Sequence, residues 1–445
     1  MVVFAPPEQI LSMFQNLRKS TLIRNATWMF LGQGLRLIIQ ALYFVEIARS
    51  LGAGNYGAFV GVVALVGIAY PFGALGSGNL LVKNVARDRN LFAAYWGRAL
   101  AVTGATSSVL LATLLLVSRL ALPASIPLTL VVLVAGADLV GLNIITVSGQ
   151  AFQAFERLNW TATINALISA SRLAGALILI HFYPHPSALQ WGYVYFGGTT
   201  CVATAAFLLV CTKLGAPSFT WPHSSSEMRE GFYFSAGFSA QTIYNDIDKT
   251  MLARLSTLDA TGIYGAAYRL IDVSFAPISA LLWSTYPNFF RAGTKGIASS
   301  FAYAKPLLLR TLCYSSSVCL ICLACAGIVP HILGPEYART TEALRWLAPL
   351  TMLRGLHYFL SDSLTGAGHQ GLRTAIQAGV AGFNILINLW IIPLYSWRGA
   401  AWSSIASDSL LVCGTALAVF VLARRAKPAG ARLLHPASTA ESLFT

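Results

Sequence analysis

"SAQTIYNDIDKTMLARLS", residues Ser239 to Ser256, sets Asn245, Asp246, Asp248 and Lys249 within five positions of a segment flanked by apolar residues. On a helix, Gln241, Tyr244, Asn245 and Asp248 fall on one face, and Asp246 and Lys249 widen its polar arc. The composition around this stretch decides what the stripe is for. Of 445 residues, 56% are hydrophobic and 10% are charged, and the mean hydropathy is +0.65. A soluble globular chain carries about 25% charged residues. The sequence is therefore that of an integral membrane protein. Lipid offers no partner to a bare peptide group, so the spans are expected to be helices and the fold class all-α. A charge at the centre of such a helix costs about 2.5–3.5 kcal/mol, so the stripe is expected to line a wet cavity.

Working outward from the stripe, twelve windows meet the length of about 20 apolar residues that a spanning helix needs. The first is Ala26–Ile47 and the last Ala400–Leu422; the quoted stretch lies in the seventh, Gly231–Leu255. The polar link "KLGAPSFTWPHSSSEMRE", Lys213–Glu230, divides them six and six. Two lobes follow as an expectation: residues 1–230 with helices 1–6 and the 213–230 link, and residues 231–445 with helices 7–12. Glu8–Ser20 reads as a short amphipathic helix and the basic tail from about 424 as disordered. With the N-terminus inside, nineteen of the thirty lysines and arginines fall in cytoplasmic segments and six in external ones, which puts both termini in the cytoplasm. The other five, Arg36, Arg172, Lys249, Arg269 and Arg354, lie within windows.

This placement accounts for most of the net charge of +14 and argues against nucleic acid as a partner, because the cations are scattered over short turns and not gathered on one face. Cys319, Cys322 and Cys325 lie in "CLICLACAGIV", with no histidine or acid beside them, so no metal site or cofactor is expected. "GAGNYG", Gly52–Gly57, fits a dinucleotide-binding pattern but has a membrane helix before it where a strand is required; it reads as a tight turn. No connection is long enough for a catalytic domain outside the membrane, so the chain is read as a non-enzyme with no catalytic residue.

The two halves echo each other. "IARSLGAGNYGAF" (Ile47–Phe59) and "LARLSTLDATGIYGAAY" (Leu252–Tyr268) each join an Ala-Arg at one helix end to a Tyr-Gly-Ala opening the next, and Pro71 and Pro277 follow. Under that correspondence Arg36 aligns with Gln241, Gln40 with Asn245 and Tyr43 with Asp248, so equivalent helices carry polar stripes at equivalent depth. Further stripes are Asn165, Ser169 and Arg172 on helix five, Arg354, Tyr358, Ser361 and Thr365 on helix ten, and Gln377, Asn384 and Asn388 on helix eleven. Arg36, Gln40, Asn245, Asp248, Lys249, Arg269, Arg354 and Arg172 are the candidate lining residues. Asp138, Asp248 and Asp362 are candidates for ion coupling. The competing reading is structural: Asp246 with Lys249, and Arg269 with Asp272, sit three apart and can neutralise one another. Glu46 and Asp408, near window ends, read as interfacial.

"LGQGLRLIIQALYFVEIARSLGAGNYGAFVGVVAL" (Leu31–Leu65) resembles the opening helices of polysaccharide and O-antigen flippases, of the multidrug/oligosaccharidyl-lipid/polysaccharide (MOP) exporter superfamily. "NDIDKTMLARLSTLDATGIYGAAYRLIDV" (Asn245–Val273) is similar to their seventh and eighth helices. The resemblance implies two six-helix lobes about a central cavity in a bacterial inner membrane. It further implies alternating access that moves an undecaprenyl-diphosphate-linked oligosaccharide from the cytoplasmic to the periplasmic leaflet. The implied partners are that lipid-linked oligosaccharide, membrane lipids and other polysaccharide-assembly proteins. A cation-coupled multidrug exporter of the same superfamily is the alternative.

Overall fold

The computed structural model describes residues 21–219 and 225–425; the side chains of 21–33, 35, 36, 225–230, 233, 234, 236–238 and 240 are outside the description. The expected Glu8–Ser20 helix, the tail beyond 425 and the Arg36 side chain therefore lie outside the described residues. Among the described residues there is no strand. The main helices are α1 (Thr21–Gly73), α2 (Ser77–Val85), α3 (Phe92–Ala121), α4 (Leu128–Ala135), α5 (Asn143–Ala154), α6 (Leu158–Phe182) and α7 (Ala188–Lys213). They continue as α8 (Ser225–Leu255), α9 (Leu258–Gly293), α10 (Ile297–Cys325), α11 (Val329–Leu333), α12 (Thr340–Leu347), α13 (Leu350–Gly366), α14 (Gln370–Tyr395) and α15 (Trp397–Arg425).

Nine helical segments among the described residues are long and apolar enough to cross a membrane. The first, Leu37–Val85, has 49 residues, more than twice what one crossing needs. Windows one and two are thus merged into α1, which is broken at Gly52 by a left-handed φ of 70° that glycine adopts without a Cβ penalty. Windows seven and ten form α8 and α13, which are not among the nine: α13 has 17 residues, and the side chains of much of α8 lie outside the description.

The chain divides into two compact units. One comprises residues up to Val273 with Leu320–Ala348 and Ala381–Ser404; the other comprises Ser274–Cys319, Pro349–Val380 and the chain from Ile405.

In the first unit, Trp96, Phe152 and Trp191 are fully buried, and Leu81, Phe92, Phe152 and Val210 anchor one core cluster. The break at Gly52 frees backbone groups that a helix would pair, and a helix break inside a protein needs partners for them. Two adjacent residues of the segment between α11 and α12 supply these partners. The Tyr337 hydroxyl donates to the Ala48 carbonyl at 2.8 Å, and Glu336 Oε2 accepts from the Ala53 N–H at 3.0 Å. Burial, reinforced by nearby Tyr56 and Glu336, pushes the Tyr337 hydroxyl well above the usual phenol range, so it remains a donor.

Beyond the break, α1 meets α9 backbone to backbone. A Cβ on Gly57 would collide with the Leu258 carbonyl, and a Cβ on Gly262 would collide with the Ala53 carbonyl. Small residues at such positions let helices approach to backbone contact.

The second unit has its own core, in which Ile278, Phe289, Ala304, Leu307 and Phe359 pack together and Gly293 lies against the Gly366 carbonyl.

Candidate functional site

The first unit holds a cavity of about 330 Å³ between α1, α6, α7, α8 and α9. Its charged lining is Arg172, Asp246, Lys249, Arg269 and Asp272; Tyr43, Phe44, Tyr56, Phe59 and Tyr195 supply an aromatic wall. Each element delivers its residue for a local reason. α6 is half polar on one face, where Ser169 is buried and Arg172 is partly buried. Asp138 sits behind the wall in a π-helical turn, Gly136–Leu142, that separates α4 from α5. Such turns widen the helix by one residue and re-aim side chains. The Leu139 carbonyl is satisfied here by the Ser107 hydroxyl at 2.5 Å and the Asn143 amide at 2.9 Å.

Tyr195 joins the two charges. Its hydroxyl donates to Asp138 Oδ1 at 2.8 Å and accepts from Arg172 Nη2 at 2.7 Å, while the Arg172 guanidinium also lies 4.3 Å from the Tyr195 ring centroid. Arg172 and Asp138 are 3.7 Å apart. On α8, Lys249 pairs with Asp246 three residues before it, donates to the Asn245 carbonyl at 3.2 Å and sits 3.7 Å from the Tyr268 ring centroid. Arg269 and Asp272, also three apart, lie on the α9 wall.

The predicted lining residues are therefore only partly gathered. Arg172, Lys249 and Arg269 share one void. Asn245 contributes a backbone carbonyl to Lys249. Gln40 is partly buried on α1 and is not among the lining residues, and Arg36 lies outside the described side chains.

Asp248 is buried and also not among the lining residues; its carboxylate accepts from the hydroxyls of Tyr264 and Ser404 and from the Lys249 amide. Close by in sequence to Ser404, two residues of the helix-eleven stripe bond to each other and to α15: Asn388 donates to Asn384 at 2.9 Å and accepts from Ser403.

Arg354 belongs to the second unit. Its Nε lies 3.8 Å from Asp408, whose other oxygen is 3.6 Å from His357 Nδ1. Asp408, expected at the interface, is 5% exposed and faces both groups. Asp362 pairs with Arg373 at 3.2 Å in the same unit.

Sequence reasoning missed Tyr195 and Tyr56, since a tyrosine in a membrane helix reads equally as core or interface. It also missed the Arg354–Asp408 pair, whose members lie on different helices.

Chemically, the cavity presents paired cations and phenol hydroxyls to whatever enters. Arginine and lysine suit phosphate oxygens, and tyrosines suit hydroxylated or flat ligands.

A family described as polysaccharide biosynthesis protein matches residues 22–292. No curated protein shows significant similarity to the chain. Among solved structures, an inward-facing multidrug resistance MATE transporter of the MOP superfamily superposes with TM-score 0.71 at 14% identity, covering 88% of this chain and 99% of that one. The lipid II flippase MurJ in an inward closed conformation gives 0.68 at 11% identity, with 88% and 87% covered. An outward-facing MATE transporter gives 0.60 at 14% identity, with 91% and 96% covered. The fold is that of MOP-superfamily transporters.

Proposed function

This chain belongs to the polysaccharide biosynthesis protein family, and from that premise we propose that it is a flippase for an undecaprenyl-diphosphate-linked oligosaccharide. The substrate is an O-antigen, capsule or exopolysaccharide repeat unit. It passes from the cytoplasmic to the periplasmic leaflet of a bacterial inner membrane by alternating access of two six-helix lobes, residues 1–230 and 231–445, with both termini cytoplasmic. The observation that carries the reading is the single void in which Arg172, Lys249 and Arg269 meet beside Tyr43, Tyr56 and Tyr195. The cations attract the diphosphate and the hydroxyls bond the sugar, while the prenyl chain stays in lipid. Arg36, Gln40, Asn245 and Asp248 are further proposed lining residues, Arg354 is a proposed substrate contact within the second unit, and Asp138, Asp248 and Asp362 are the proposed ion-coupling positions. Other polysaccharide-assembly proteins are proposed partners, because a flipped unit must be polymerised.

The test is twofold. Lys249→Ala is expected to insert normally and abolish surface-glycan export, and lipids co-purified with the wild-type chain are expected to include a diphosphate-linked oligosaccharide by mass spectrometry. Full export from Lys249→Ala at native expression removes the anion-cavity reading.

One observation favours a second reading, a cation-coupled multidrug exporter: two carboxylates, Asp246 and Asp272, line the cavity beside an aromatic wall. Resistance to cationic dyes on overexpression, with surface glycan unaffected by deletion, decides for that alternative.

A further inference from the structure

Two of the cavity's three described cations are already matched to an acid. Arg172 faces Asp138 through Tyr195, Lys249 faces Asp246, and Arg269 shares the wall with Asp272. At each of these two pairs one cation meets one carboxylate, so neither pair carries a formal net charge while the cavity is empty. A flippase for an anion has two journeys to make: one loaded, and one back with nothing bound. An unmatched cation in a low-dielectric interior opposes the second journey as much as it helps the first.

Lys249 shows how the same site can serve both. An ammonium has three donors and no acceptor. One reaches the Asn245 carbonyl, one the Asp246 carboxylate, and the ring of Tyr268 lies 3.7 Å away. A phosphate oxygen reaches this nitrogen only by displacing one of them. The carbonyl is fixed in α8, and Tyr268 is 2% exposed. The Asp246 side chain is 37% exposed and lines the cavity, so it has room to swing. Asp138, by contrast, is buried and anchored by Tyr195.

We propose that Asp246 is a built-in counter-anion, which occupies Lys249 while the cavity is empty and gives way to the diphosphate of the substrate. This rests on the flippase reading and adds the residue that makes the return step neutral. Binding is an exchange of one anion for another at Lys249. Asp246 therefore weakens substrate binding and speeds the empty return.

The experiment uses the full chain reconstituted in vesicles, with farnesyl diphosphate as probe. Binding is measured directly. Movement is measured in two ways: net, with probe on one side, and by exchange, with probe on both. Asp246→Asn is expected to bind the probe more tightly, by up to about fivefold, since a partly exposed competing pair has been removed. It is also expected to keep exchange while losing most net movement, because exchange needs no empty return. Lys249→Gln is expected to bind more weakly and, with Asp246 left unmatched, to show a low net-to-exchange ratio. The double variant Asp246→Asn/Lys249→Gln has no unmatched charge at this pair and is expected to recover the wild-type ratio at lower affinity, which decides the matter even if Asp246→Asn fails to insert. Unchanged or weaker binding by Asp246→Asn, equal loss of net movement and exchange, or no recovery in the double variant overturns the role of Asp246 alone. A wild-type chain that does not bind farnesyl diphosphate overturns the flippase reading and this inference with it.

Discussion

Tyr195 is the residue on which the arginine side of the cavity turns. Its single hydroxyl is both donor to Asp138 and acceptor from Arg172, so removing it leaves a buried carboxylate and a partly buried guanidinium short of a partner. Leaving buried charged groups short costs about 1–3 kcal/mol or more. Tyr195→Phe is expected to lose that much stability in thermal unfolding of the purified chain, whereas Tyr193→Phe, at an exposed position, is expected to lose none. How far these contacts could be read from the sequence depended on spacing. The Asp246–Lys249 pair was visible because three positions on one helix make neighbours. Asp138 and Tyr195 lie 57 positions apart and Tyr195 and Arg172 lie 23 apart, on three different segments, and no pattern within any one of them announces the others. Arg354 has no acid within four residues on its own helix, which suggested a cavity residue; its acid, Asp408, comes from α15. Same-helix periodicity sees only same-helix partners.

At the scale of the helix, the contact between α1 and α9 makes the sharpest demand on sequence. Gly57→Ala and Gly262→Ala each press a methyl group into a backbone carbonyl that belongs to a rigid helix. Overpacking of this kind costs about 1–3 kcal/mol, so both variants are expected to unfold at lower temperature and to similar extents. Gly104→Ala on α3, with open space around it, is expected to be neutral or slightly stabilising, since alanine is the better helix former. The break at Gly52 is supported from outside: Glu336→Ala removes the acceptor of the Ala53 N–H and is expected to cost about 1 kcal/mol, as loss of a helix cap does. The sequence showed "GAGNYG" as a turn between two spans, and the glycine-rich composition made that legible. It did not show that Glu336 and Tyr337 would serve the break, because 283 positions separate Ala53 from its acceptor.

At the scale of the whole molecule, composition alone established membrane residence and helical class, because both follow from how much apolar surface a chain carries. The grouping of parts of α9, α10, α14 and α15 with the first unit and of their remainders with the second was invisible to hydropathy, which treats a helix as one object. Transport of a substrate with two negative charges out of a negative interior gains roughly 4–5 kcal/mol from a potential of about 100 mV. Net outward movement of a prenyl diphosphate in vesicles is therefore expected to rise steeply when an interior-negative potential is imposed and to fall when an ionophore collapses it. A rate that ignores the potential would mean that a compensating positive charge travels with the anion.

The paired backbone collisions carry one more consequence. Gly57 and Gly262 lie 205 positions apart, as do Ala53 and Leu258, and each glycine faces the carbonyl that corresponds to the other's. A contact repeated with its roles interchanged is the arrangement found where two identical subunits meet about a dyad. α1 and α9 therefore meet here about a local twofold, each giving a glycine to the other's backbone. A side chain at either glycine would spoil one of the two contacts and leave its rotated counterpart intact, so the two sites carry separate and equal constraints.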